Sequence, residues 1–200
     1  MRTPVLTLTA NEVEKMKAIA DDIGIPFAVS YEIITTIDRD NISQKYQISP
    51  LDALEYEIRD YFTDNYNKLD VAPPNTRDGS PFPIFSCKIA RGALVIDYNG
   101  NIFPCMKFRH VGQPLTRNNF DEIWASYSKY YSLKTSISNK CNSCDAAFYC
   151  EVCPAEMDFL FGDMEHRDAV HCTIAHFRKK LYEGAYRSET DAIKALHALN

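Results

Sequence analysis

The chain has 200 residues, 46% of them hydrophobic and 24% charged, with a net charge of −5. This is the composition of a folded globular protein of one domain or a little more, and it argues against a nucleic-acid binder that works through a general basic surface. No run reaches the roughly 18 apolar residues that cross a bilayer, so no membrane partner is expected. The opening "MRTPVLTLTANEVEK" is too broken an apolar run for a secretory signal, and the expected compartment is the cytoplasm, where thiols stay reduced.

Residues 4–8, "PVLTL", are short, apolar and β-branched, and read as a strand. Thr9 or Asn11 can cap the helix predicted over 11–24, in which Val13, Met16, Ile19 and Ala20 fall near helical spacing and Gly24 is the stop. Residues 25–38, "IPFAVSYEIITTID", are again rich in strand formers, with Pro26 delaying the start. Strand, helix, strand in about forty residues is the signature of a right-handed parallel unit. A parallel sheet normally has more strands and both faces covered, so this start is expected to be the tail of a larger α/β domain.

A second helix is predicted from Ser49 through Leu69. Ser49 can cap it, Pro50 suits its first position and Asp52 favours its positive end. Leu51, Leu54, Ile58 and Phe62 give it an apolar face. The Pro-, Gly- and turn-rich stretch that follows reads as a linker over 70–86. Beyond it, "GALVIDYNGNIFPC" carries Asn99-Gly100 between two apolar runs, a strong hairpin signal. Residues 118–133 read as one helix with aromatic packing, with Ile123, Tyr127, Tyr130 and Tyr131 recurring around Trp124. Two further helices are predicted over 172–186 and 188–200, where Ser188 and Asp191 form a variant capping box.

Seven cysteines in a cytoplasmic chain point to metal and not to a disulfide framework, which would also leave one thiol over. Four of them, Cys141, Cys144, Cys150 and Cys153, fall within thirteen residues as two Cys-x2-Cys pairs. A tight turn of that kind aims two soft thiolates at one centre, which suits zinc, copper(I) or an iron–sulfur cluster. One tetrahedral zinc held by all four, in a zinc-stabilised binding or accessory module without redox chemistry, is the simplest reading. It leaves Cys87, Cys105 and Cys172 without a role.

Taken in order, the seven resemble the SPASM domain, the C-terminal auxiliary-cluster module of many radical S-adenosylmethionine enzymes. Cys87, twelve residues, Gly100, four residues and Cys105 are followed by a gap, then Cys141-x2-Cys144-x5-Cys150-x2-Cys153, a second gap and Cys172. The last spacing inside the cluster is two residues here and three in the family. "VIDYNGNIFPC" resembles the family's hairpin, "NNFDEIWAS" its helix and "FGD" at 161–163 its Gly-Asp turn. The resemblance implies two [4Fe–4S] clusters. Cys87, Cys105 and Cys153 would hold auxiliary cluster I, and Cys141, Cys144, Cys150 and Cys172 auxiliary cluster II. It further implies a peptide or protein substrate, with the clusters engaging it or passing electrons. Three thiolates leave one iron of the first cluster with an open position, for an upstream residue, solvent or substrate. Asp78 carries an oxygen ligand, but a solvated turn residue is its ordinary reading.

The whole then reads as α+β. Residues 1–69 would be the C-terminal remnant of a radical S-adenosylmethionine partial (β/α) barrel, 70–86 a linker, 87–185 the SPASM-like iron–sulfur domain and 186–200 a C-terminal helix. The family's radical-generating loop is Cys-x3-Cys-x2-Cys, and no cysteine precedes Cys87. The resemblance therefore implies that S-adenosylmethionine is bound only in a complete enzyme. The chain would be a fragment of one, or an accessory protein whose partner supplies the barrel, and inactive alone. No residue is assigned a catalytic role. His171 adjoins Cys172 and could line a cluster, though ordinary hydrogen bonding is its expected role, and His166, His176 and His110 lack the spacing of a ligand set. Glu156, Asp158 and Asp163 read as loop carboxylates.

Overall fold

The first strand and the first helix meet at a threonine. The computed structural model describes residues 2–31, 33, 43–63, 77–87, 89 and 91–199. In it β1 (Arg2–Pro4) is parallel to β2 (Ala28–Ser30), in the register Arg2↔Ala28, Thr3↔Val29, Pro4↔Ser30. The Val5 N–H extends the ladder to the Ser30 carbonyl at 2.8 Å, and there it ends. The Leu6 N–H is taken at 3.2 Å by the Thr9 hydroxyl, a local bond that competes with strand pairing. The strand therefore lies earlier than 4–8. A 3₁₀ turn, Ala10–Glu12, leads into α1 (Val13–Asp22) with no side-chain cap, so neither Thr9 nor Asn11 serves as one. Gly24, at φ 68°, turns the chain out of the helix. A strand, a helix and a parallel strand thus follow one another, though β2 is short, and residues 34–38 of the predicted strand lie outside the described residues.

The chain divides into two units, Met1–Val71 with Lys180–Asn200, and Ala72–Lys179. In the first unit, Val5, Val13, Ile48 and Ala53 are buried together, with Phe27, Val29 and Tyr56 against them. α2 (Pro50–Phe62) begins as its sequence prescribes: the Ser49 hydroxyl accepts the Asp52 N–H at 3.0 Å and Pro50 takes the first position. Leu54 and Ile58 are buried, and α2 packs on α7 (Glu189–His197). The Ser188 hydroxyl accepts the Asp191 N–H at 3.2 Å. The Asp191 carboxylate bonds back to the Arg187 N–H, also at 3.2 Å. Residues 64–69 of the predicted α2 lie outside the described residues.

The second unit is built around a three-stranded antiparallel sheet. β3 (Val95–Ile96) pairs with β4 (Asn101–Phe103), and β4 with β5 (Gln113–Pro114). The hairpin predicted at Asn99-Gly100 forms with a turn over Asp97–Gly100. The Gly100 N–H bonds to the Asp97 carbonyl at 3.0 Å, and Gly100 sits at φ 77°. The Asp97 carboxylate gathers the N–H groups of Asn99 and Asn101 at 2.9 and 2.8 Å. The Asn101 side-chain amide, which donates to it at 3.0 Å, together with those N–H bonds holds it below the usual carboxylate range. Gly112, before β5, is needed for space, because a Cβ there would stand 3.0 Å from the Arg109 carbonyl oxygen and 3.3 Å from the Phe103 ring.

The predicted helix over 118–133 is two helices, α3 (Phe120–Tyr127) and α4 (Lys129–Ser132). Near the break the hydroxyls of Ser126, Ser128 and Ser132 each bond to the carbonyl three residues back, at 2.7, 2.7 and 2.8 Å. Such bonds compete with helical continuation. α3 and α4 present Ile123, Tyr127 and Tyr130 to a buried cluster with Phe85, Ile89, Ile102, Phe108 and Ala155. The Tyr127 hydroxyl donates to the Ile102 carbonyl at 2.7 Å and so ties this core to β4. Residues 82–85 lie alongside 133–135, through the Thr135 N–H to the Phe82 carbonyl and the Ile84 N–H to the Leu133 carbonyl, both 2.9 Å. α5 (Pro154–Phe161) and α6 (Ala169–Tyr182) complete the elements among the described residues. Two small sheets and seven α-helices among the described residues make the fold α+β.

Candidate metal centres

None of the seven cysteines is in a disulfide. Two are brought to the aromatic core. Cys105 lies two residues beyond Phe103, the end of β4, and Cys153 is the N-cap of α5, ahead of Pro154. Both pack against the Phe85–Phe108–Tyr130 cluster. Burial pushes the Cys105 thiol up, and the N–H groups of Lys107 and Phe108 draw it back. The sulfurs of Cys153 and Cys87 add to the rise, so both are electrostatic neighbours of Cys105. Burial likewise pushes Cys153 up, against the N–H groups of Glu156 and Ala155 and the Lys107 ammonium. The backbone thus supplies N–H donors to both sulfurs, an arrangement that stabilises a thiolate. Cys87 is exposed.

The other four thiols line one cavity of about 760 Å³. Cys141 lies in a 3₁₀ turn, Lys140–Ser143, whose N-cap Asn139 accepts the Cys141 N–H at 2.8 Å. The Cys144 N–H closes that turn on the Cys141 carbonyl at 3.3 Å, and a second 3₁₀ turn, Ala147–Tyr149, delivers Cys150. Cys172 comes from the first turn of α6. Burial pushes Cys141 up; Cys144 and Cys150 reinforce this, while Arg167 and Arg77 oppose it. Burial also raises Cys172, with Cys141, Cys150 and Cys144 adding to it. The sulfur neighbours of Cys141 and Cys172 thus all line this cavity, whereas those of Cys105 are Cys153 and Cys87.

The loop that carries Cys141 and Cys144 is held from inside. Asn142, between them, is 2% exposed. Its side-chain oxygen accepts the Thr135 hydroxyl at 2.6 Å, and its amide donates to the Ser136 carbonyl at 2.9 Å. Its own carbonyl accepts the Gly79 N–H at 3.1 Å. The Glu165 carboxylate accepts the Ser136 N–H at 2.8 Å and the Asn139 amide. Although burial pushes it up, those bonds hold Glu165 below the usual range.

Arg77 and Arg167 stand on the cavity wall. The Arg77 guanidinium lies 3.2 Å from the centre of the Phe82 ring and donates to the Cys141 carbonyl at 3.2 Å. Arg167 donates to the carbonyls of Met164 and His166 at 3.2 and 2.6 Å. Neither Asn142, Glu165 nor the two arginines carries a motif in the sequence, since their roles depend on segments far apart along the chain.

Other candidates are engaged elsewhere. The Asp78 carboxylate accepts the Ser80 N–H and hydroxyl at 2.9 and 2.6 Å, as a turn residue does. Asp168 accepts the His171 N–H at 2.8 Å and lies 2.7 Å from its ring nitrogen. That bond caps α6, which starts at Ala169, ahead of the predicted 172. His110 pairs with Asp158 at 2.6 Å, and Glu156 with Lys107 at 3.1 Å. Cys144, Asp145 and His176 place ligand atoms within 4.8 Å of one another, but Asp145 is held at 2.6 Å by Lys179. α5 was missed in the sequence, though Pro154 at its first position and Gly162 at φ 70° after its end were the signals for it.

The donor set is soft sulfur, in one set of four and one of three. It fits iron–sulfur chemistry and, at the set of four, zinc. Residues 87–145 match the family model of SPASM, an iron–sulfur cluster-binding domain. The match bears out the sequence resemblance over those residues, well under half of the chain, and iron–sulfur cluster binding is what such a domain does. It spans Cys87, Cys105, Cys141 and Cys144 and ends before Cys150, Cys153 and Cys172. No curated protein and no solved structure matches the chain. Among the described residues no helix is long and apolar enough to cross a membrane.

Proposed function

We propose that the chain is the auxiliary-cluster part of a radical S-adenosylmethionine enzyme that modifies a peptide or protein. Its seven thiols hold two [4Fe–4S] clusters, one on Cys87, Cys105 and Cys153, the other on Cys141, Cys144, Cys150 and Cys172. The observation that carries this reading is the sorting of the thiols. Four of the sulfurs share one cavity, Cys141 and Cys172 have their electrostatic sulfur neighbours among those four, and Cys105 has Cys153 and Cys87 as its own. Bound there, the clusters supply one-electron transfer or a ligand position for substrate. The N–H groups of Lys107 and Phe108 at Cys105, and of Glu156 and Ala155 at Cys153, are the hydrogen bonds to sulfur that tune such a centre. The parallel β1–α1–β2 unit supports the reading of residues 1–69 as barrel end. The radical-generating cysteines, which this sequence does not contain, and S-adenosylmethionine with them, belong to the barrel of the complete enzyme, on the same polypeptide or on a partner.

Anaerobic reconstitution tests this directly. The expected product is brown and carries about eight irons and as many acid-labile sulfides per chain. A colourless protein with one zinc on the Cys141–Cys172 set would overturn it in favour of a zinc-stabilised module.

A further inference from the structure

The four-thiol cavity holds more positive charge than its protein surroundings account for. Arg77 and Arg167 both line it, and both act on the Cys141 sulfur. Arg77 also acts on Cys144 and Cys150. Burial lowers the Arg77 guanidinium, and the like charge of Arg167 lowers it further, so the two cations repel one another. Their hydrogen bonds go to neutral carbonyls: Cys141 for Arg77, Met164 and His166 for Arg167. Among the described residues no carboxylate lies within ion-pair distance of either. Glu165 acts on Arg167 electrostatically, but its oxygens are bonded to Ser136 and Asn139. Arg91, a third arginine on the wall, differs in being exposed, so solvent screens its charge; it rests on the Tyr131 ring at 4.8 Å and bonds to the Tyr131 carbonyl at 3.4 Å.

Two half-buried guanidiniums with no carboxylate in ion-pair contact are costly unless an anion joins them. Four thiolates around an iron–sulfur core form one, and a one-electron reduction adds a further negative charge to it. We infer that Arg77 and Arg167 are the built-in counter-charge of the cluster on Cys141, Cys144, Cys150 and Cys172, and that they raise its reduction potential above that of the same thiol set without them. They are positioning residues, acting through the field at the sulfurs. This rests on the iron–sulfur reading of the cavity above. Arg77 has a second consequence. It anchors the segment entering the module to the Cys141 turn, through Phe82 and the Cys141 carbonyl, so the charge is held at fixed distance from the sulfurs.

The test is potentiometry with dithionite as the electron donor, followed by electron paramagnetic resonance, on the reconstituted full chain. Arg77→Gln and Arg167→Gln are each expected to raise the oxidised-to-reduced ratio of one cluster about tenfold at a fixed potential, which is about 59 mV downward for one electron. The cluster that moves must be the one whose signal Cys144→Ala abolishes, and Arg91→Gln should leave it in place. Should a glutamine variant fail to hold the cluster, Arg77→Lys or Arg167→Lys, which keep the charge, should restore it near the original potential. Failure of the lysine variants to do so would overturn the inference, because it would assign the arginines a purely structural role. Unchanged potentials in both glutamine variants, or equal shifts of both clusters, would overturn it while leaving the cluster reading intact. A wild-type chain that takes up no cluster would overturn both.

Discussion

The two sets of thiols are held by different physics. Cys105 and Cys153 lean on packed aromatic rings, with Phe108 fully buried and its ring centre 4.7 Å from that of Tyr130. Cys141, Cys144 and Cys150 come from two 3₁₀ turns fixed by a buried amide, a carboxylate and a cation, around a cavity. The first arrangement draws its order from burial of apolar surface and exists whether or not metal is bound. The second draws it from hydrogen bonds that must all be satisfied together, with two cations that gain when the thiolates bind metal. Removal of metal should therefore disturb the second set more than the first.

The comparison can be broken most sharply at Phe108. Phe108→Ala should cost about 3–5 kcal/mol, the usual penalty for emptying a buried aromatic site. Denaturant unfolding of the metal-free chain measures it, and the Cys105 cluster should be the one that becomes labile. A cost below about 1 kcal/mol would mean that the core does not support that set.

Asn142→Ala probes the other side. It leaves the Thr135 hydroxyl and the Ser136 carbonyl without their buried partner, at about 1–3 kcal/mol. Timed chelation should strip the Cys141–Cys172 cluster faster than in the wild type, with the Cys105 cluster unaffected. Equal acceleration at both would deny the separation of the two sets. Smaller still, Ser49→Ala removes the cap of α2 in the other unit and should cost about 1 kcal/mol. Iron content after reconstitution should not change, and a fall would show that the thiols depend on the first unit.

Much of this was open to reading in the sequence, for identifiable reasons. The hairpin at Asn99-Gly100, the caps Ser49 and Ser188 and the position of Pro50 are local, and local signals were enough. The cysteine spacing marked metal binding because ligand spacing is itself a chemical constraint, but the division of the thiols into two sets came only with the family resemblance. What escaped was settled by partners distant in sequence or by competing local bonds. Leu6 gave its N–H to Thr9, which moved β1. The serine hydroxyls near Ser128 divided one predicted helix into two. Asn142 looked like a spacer inside Cys-x2-Cys until Thr135, Ser136 and Gly79 were placed around it. Arg77 sat in a stretch rich in proline and glycine, with nothing to mark it as facing Cys141.

The central claim is that the seven thiols form two independent centres. Iron and sulfide counts on reconstituted Cys105→Ala and Cys141→Ala chains test it most directly. Each variant should lose about half of the iron of the wild type, and the spectroscopic signals that survive should differ, one belonging to each set. Loss of the same signal in both, or a proportional loss of all iron from either, would contradict two centres divided in this way.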